Sequence, residues 1–121
     1  MSNVHLCRLD SLPDPGSRGF ALPTPTGPIE CLLVRRAGQV FAYRNRCPHT
    51  GAPLDWLPGQ FLDISGELIQ CALHGALFLP ETGECVHGPC LGDGLTPVPV
   101  DLQDGWVRVP SALGPGPAAP S

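Results

Sequence analysis

The sequence contains no lysine; all seven of its basic residues are arginine. Charged residues of both signs make up 15% of the chain and the formal net charge is −4. Sequence-independent nucleic-acid binding works by neutralising phosphates, so this balance argues against it. The arginines at 35, 36, 44 and 46 form a local basic group. They read first as solvated strand faces, with docking of an acidic partner as the sharper alternative. No apolar stretch is long enough to span a bilayer. The first twenty residues, MSNVHLCRLDSLPDPGSRGF, have neither an apolar run of signal-peptide type nor a twin arginine. The expectation is a soluble, cytoplasmic protein with no membrane and no nucleic acid among its partners. Helical periodicity over three turns is also missing, as is any internal repeat. GSRGF lacks the lysine and the strand–loop–helix context of a phosphate loop. No residues pair as nucleophile and base, so the chain is not expected to be an enzyme in its own right.

What is present points to β structure. The chain has 121 residues, the size of one domain, and 42% of them are hydrophobic, which excludes disorder by composition. Fifteen glycines and sixteen prolines imply many turns and short strands. Residues 2–10 read as a first strand. Residues 28–36 and 40–44 flank Ala-Gly-Gln as a hairpin, with Val40, Phe41 and Tyr43 suited to a pleated surface. A long passage, DWLPGQFLDISGEL, leads to a short strand around 68–70. ALFLPETGECVHG reads as a hairpin turning at ETGE, and 98–102 and 106–109 as another turning at QDG. Pro97 and Pro99 belong on edge positions. The segment with most helical character, 53–60, is cut short by Pro58 and Gly59. The fold class is all-β, a sandwich or small barrel over residues 1–109. The tail, 110–121, is of Pro/Gly/Ala type and is expected to be disordered.

Six cysteines would suit a secreted disulfide framework, but without a signal peptide reduced or metal-bound thiols are the better expectation. Cys47 and His49 stand two positions apart, and Cys71 and His74 three apart, in loops rich in proline and glycine. Thiolate with imidazole suits zinc, copper or iron–sulfur clusters. Each loop must curl tightly to aim both side chains at one centre; Pro48, Gly51 and Gly75 supply the restraint and the freedom this needs. Two loops, each with one thiolate and one imidazole, fit a two-metal site, and such mixed pairs are less typical of structural zinc.

CPHTGAPL and CALHGALF resemble the two cluster loops of the Rieske family, and ETGECVHGPC resembles its third, proline-containing loop, which covers the cluster. The resemblance runs from about residue 4 to 109 and is strongest over 47–90. It implies a [2Fe–2S] cluster, one per chain, with Cys47 and Cys71 on one iron and His49 and His74 on the other. It also implies an antiparallel β-sandwich carrying a small cluster-binding subdomain, with the cluster-binding loops at about 45–92.

The departures from the family pattern indicate the subfamily. High-potential members join the two loops by a disulfide; Ala52 and Leu73 occupy those positions here. Ala76 and Phe78 stand where those members have a serine and a tyrosine that hydrogen-bond to sulfur. Without such donors the reduced state is less stabilised, which implies a potential toward the lower part of a window of roughly −150 to +300 mV. Cys85 and Cys90 are read as small buried hydrophobes, with a disulfide between them as the alternative. Cys7 and Cys31 belong to the core, His87 to the surface, and Trp56 and Phe78 to packing beside the ligand loops. Leu54, Leu73 and Pro89 are expected to keep water from the cluster.

The implied function is that of a low-potential Rieske ferredoxin, a one-electron carrier between a reductase and a terminal oxygenase or similar partner. One alternative is a permanently attached small subunit of a reductase, of the nitrite-reductase type, which would form a stable stoichiometric complex. The other is a redox-inactive module held by zinc, which would be colourless.

Overall fold

A computed structural model describes residues 3–22, 27–48, 51, 53–55, 59–71 and 75–110. Nine strands form three antiparallel sheets of three among these residues. They are β1 (Asn3–Arg8), β2 (Gly16–Leu22), β3 (Ile29–Arg36), β4 (Gln39–Arg44), β5 (Ile69–Gln70), β6 (Leu77–Phe78), β7 (Cys85–His87), β8 (Asp101–Gln103) and β9 (Trp106–Pro110). The sheet orders are β1-β9-β8, β2-β3-β4 and β5-β6-β7. The all-β expectation holds, and so do both long hairpins.

The strand β3 explains how three sheets make one body. Its residues 31–34 are all buried, but they alternate between two apolar clusters. Cys31 and Leu33 join Cys7, Leu12, Leu22, Ala42, Val98, Val107 and Val109 between the first two sheets. Leu32 and Val34 point the other way, into a cluster with Tyr43, Leu54, Phe61, Ile69 and Phe78. The same period of two runs through β4, where Ala42 enters the first cluster and Tyr43 the second. A strand buried on both faces reads as a continuous apolar run. The central sheet is therefore a shared wall. One side completes the sandwich; the other supports the small sheet β5-β6-β7.

The turns follow local chemistry. Ala37 and Gly38 have φ of 53° and 78°, and Arg36 pairs with Gln39, so β3 and β4 meet in a two-residue turn. Gln39 is therefore strand, not turn. Asp14 holds this turn from outside, its carboxylate accepting from the N–H groups of Ala37 at 2.9 Å and Gly38 at 2.8 Å. Asp104 and Gly105, with φ of 54° and 81°, make the equivalent turn between β8 and β9. Pro97 bridges to Tyr43 and the Val98 N–H donates to the Ala42 carbonyl at 2.9 Å, so the proline-rich stretch runs along the edge of β4 as expected.

Three features differ from the sequence reading. The first strand ends at Arg8, and Leu9–Ser11 form a short 3-10 turn. β2 was not anticipated: GSRGF alternates weakly, because only its ends at Gly16 and Leu22 are buried. Its place is decided by seven paired positions with β3. The passage before β5 is no helix over its described residues; Leu62 bridges Ile69, with the Asp63 N–H donating to the Leu68 carbonyl at 2.8 Å. The tail from 111 onward and Pro58 lie outside the described residues. No helix of the described residues is long and apolar enough to cross a membrane.

Of the arginines singled out above, Arg35 is a strut rather than a docking group. It donates to the carbonyls of Leu9 at 3.1 Å and Leu12 at 2.8 Å and lies 3.6 Å from Asp14. Arg36 pairs with Glu81.

Two core acids make the fold sensitive to alkali. Burial, reinforced by Glu81, pushes the Tyr43 hydroxyl up from 10.0 to about 12. Burial also pushes the Cys31 thiol from 9.0 to about 12, with Arg44 opposing and Glu30 reinforcing. Both groups hold their protons more tightly folded than unfolded. Their contribution is thus fully present below the unfolded values and is lost as pH rises through the folded ones. Urea midpoints should fall between pH 9 and about 12, and Tyr43→Phe should flatten that fall. An unchanged pH slope in the variant would contradict the assignment.

Candidate metal centre

The two cysteines of the motif loops are both fully buried and belong to the same apolar cluster. They come from different parts of the chain. Cys47 follows β4 and Cys71 follows β5 directly. Each heads a turn closed in the same way. The Gly51 N–H donates to the Cys47 carbonyl at 2.7 Å, and the Gly75 N–H to the Cys71 carbonyl at 2.9 Å. Both glycines lie in the left-handed region, with φ of 80° and 67°, which only glycine adopts without strain. Spacings of C-x-H and C-x-x-H thus fall within two turns of equal length, C-x-x-x-G in each case. His49 and His74 themselves lie outside the described residues, as do Ala52, Trp56 and Leu73.

Asn45 fastens the first loop, which sequence reasoning had missed. Its side-chain oxygen accepts from the Leu54 N–H at 2.6 Å, its amide donates to Asp55 at 3.2 Å, and its own N–H reaches the Glu30 carbonyl at 2.9 Å. It therefore ties residues on both sides of Cys47 to one another and to β3. An asparagine two places before a C-x-H motif was the available signal. Ser17 acts similarly between β2 and the passage before β5, donating to the Gly59 carbonyl at 2.7 Å and accepting from Phe61 N–H at 3.1 Å.

The second loop is the tip of the β5–β6 hairpin, closed by the Cys71 N–H donating to the Ala76 carbonyl at 2.9 Å. Ala76 and Phe78, which follow it, are fully buried, and Tyr43 anchors the next hairpin by donating to the Pro80 carbonyl at 2.6 Å. The covering loop, 88–93, is cross-tied by Leu91 to Gly88 at 3.3 Å and by Asp93 to Cys90 at 2.8 Å. It approaches so closely that a Cβ on Gly88 would lie 2.8 Å from the Cα of Ala76.

This loop corrects one expectation. Pro89 is exposed, and Cys90, only 1% exposed, is the residue that turns inward. Its Sγ stands 3.8 Å from the Sγ of Cys47. Cys85 is buried in the same cluster and its thiol donates to the carbonyl of His87 at 3.3 Å. No disulfide joins any of the six cysteines, all of which are buried. Leu54 is buried in the same cluster as Cys47, as expected of a residue that keeps water out. His87 is exposed, and Cys7 and Cys31 lie in the sandwich core.

The donor chemistry fits an iron–sulfur group. Two buried thiols share one apolar cluster, each at the head of a turn closed by glycine, and each turn carries one histidine in its sequence. A low-dielectric surround with soft sulfur donors favours iron–sulfur ligation over hard oxygen-seeking cations.

Comparison with known proteins agrees. The family model of the Rieske [2Fe-2S] domain matches residues 3–107. The chain is 32% identical over 109 residues to the 3-phenylpropionate/cinnamic acid dioxygenase ferredoxin subunit of Photorhabdus laumondii, covering 90% of this chain and 94% of that one. It is 48% identical over 60 residues to the chloroacetanilide N-alkylformylase oxygenase component of Rhizorhabdus wittichii; that match covers 50% of this chain but 15% of the larger protein. The fold superposes on the ferredoxin of carbazole 1,9a-dioxygenase from Nocardioides aromaticivorans IC177 with a TM-score of 0.71 at 24% identity, over 91% of this chain and 98% of that one. Taken with the paired cysteine turns and the loop that covers them, these matches establish that the chain belongs to the Rieske [2Fe-2S] domain family.

Proposed function

We propose that the chain is a cytoplasmic one-electron carrier. Cys47 and Cys71 hold one iron of its [2Fe–2S] cluster, and His49 and His74 hold the other. It takes an electron from a reductase and delivers it to the terminal oxygenase of a dioxygenase-type system, with no catalysis of its own. The observation that supports this best is the pair of fully buried cysteines at the heads of two matching glycine-closed turns. Bound there, the cluster supplies a centre that gains and loses one electron. The protein's part is to keep that centre dry and rigid. Leu54, Phe78 and Ala76 exclude water, and Asn45 and the two glycine turns limit reorganisation when the charge changes. Ala76 and Phe78 carry no hydroxyl, which favours a low potential.

The likeness to a ferredoxin subunit along nearly its whole length favours a diffusing carrier over a fixed small subunit of a reductase. Family membership argues against the reading as a zinc-held module. Val86, in the strand before the covering loop, and Leu91, within it, are 40% and 65% exposed and offer apolar surface for brief docking.

The test is stopped-flow oxidation of the dithionite-reduced protein by a terminal oxygenase, followed by EPR. A rhombic signal with the low average g of a histidine-ligated cluster, lost on mixing with oxygenase, is expected. A colourless protein carrying zinc after anaerobic reconstitution would overturn the proposal.

A further inference from the structure

We propose that the Cys90 thiol donates a hydrogen bond to the Cys47 thiolate and thereby raises the cluster's reduction potential. This inference rests on the reading of Cys47 as a cluster ligand. Three observations carry it. First, the two sulfurs are 3.8 Å apart, within reach for a hydrogen bond between sulfurs. Second, both are buried, at 0% and 1% exposure, so water does not compete for the contact. Third, Cys90 is held in place by its own backbone: its carbonyl accepts from Asp93 at 2.8 Å, and Cys85 donates to Asp93 at 3.0 Å, which ties the loop to β7.

The direction of the bond follows from the chemistry. Between two thiols either sulfur can donate. Once Cys47 binds iron as a thiolate it has no proton, so Cys90 is the donor. Reduction places more negative charge on the sulfurs, and the bond strengthens with it. The reduced state therefore gains more than the oxidised state. Cys90 is a positioning residue, acting through Cys47. It restores part of the donor capacity that Ala76 and Phe78 leave out.

The test compares midpoint potentials of the loaded wild-type protein with Cys90→Ala, Cys90→Val and Cys90→Ser, measured by EPR-monitored redox titration. Valine fills the space without a donor; serine keeps a donor of similar size. A weak S–H donor should change the reduction equilibrium by about threefold to tenfold, or about 28–59 mV for one electron. The expected result is a lower potential in both apolar variants, restored toward wild type by serine. Pulsed EPR in D2O should show one exchangeable coupling lost in the valine variant. A merely structural role would act differently: admitting water favours the more negative reduced state and would raise the potential. An unchanged or raised potential in both apolar variants, or serine as low as valine, would overturn the inference and leave the cluster assignment standing. Absence of iron and of the EPR signal in the wild-type protein would overturn both.

Discussion

Replacing Cys71 by alanine is expected to abolish the cluster: no visible absorbance, iron at background, and no EPR signal after reduction. Cys71 is fully buried at the tip of the β5–β6 hairpin. Its backbone is committed on both sides, accepting from Gly75 and donating to Ala76, each at 2.9 Å. An iron deprived of one of two thiolates loses a negative ligand inside an apolar cluster, where no water offsets the charge. Cys47 is different, because the sulfur of Cys90 lies 3.8 Å away and can stand in for it. The matching experiment there is Cys47→Ala with and without Cys90→Ala, and only the double variant should match Cys71→Ala in full. Retention of the full iron content and EPR signal in Cys71→Ala would remove this residue from the ligand set. His49→Ala and His74→Ala, each with the cluster lost, complete the assignment.

A large loss of stability is expected from Gly88→Ala. Gly88 has φ of 98°, and an added Cβ would stand 2.8 Å from the Cα and 3.2 Å from the Cβ of Ala76. The strained backbone costs on the order of 1–3 kcal/mol. Forcing a methyl against backbone adds about as much again. A total near ~3 kcal/mol should lower the melting temperature by roughly 10 °C. Gly92 is the internal control. Its φ is 95°, yet nothing lies within 4 Å of its added Cβ. Gly92→Ala therefore carries the strain without the collision, and the difference between the two melting curves measures how tightly the covering loop presses on the second ligand loop. Equal losses in the two variants would mean that the loops are not in close contact.

Much of the site was legible in the linear sequence because its signals are local. C-x-H and C-x-x-H, each with a glycine four places after its cysteine, state both the donors and the turn that presents them. Hairpins were legible for the same reason. Asp104-Gly105 and Ala37-Gly38 reverse the chain through backbone angles that only a few residue types tolerate. β2 was not legible, since its alternation is weak and its register comes from pairing with β3. The role of Cys90 was hidden for a similar reason. From sequence it was a small hydrophobe beside a proline; its meaning lies in a contact 43 positions away.

The sequence by itself determined the all-β class, the two motif loops and the identity of the four candidate ligands. Short-range chemistry decides all three: residue type, spacing and turn geometry. The tertiary structure alone decided that β3 is buried on both faces, that Asn45 pins the first loop, and that Cys90 rather than Pro89 faces Cys47. Those depend on which surfaces meet when three sheets share one wall. Packing of that kind joins residues far apart in the chain, and no local pattern records it.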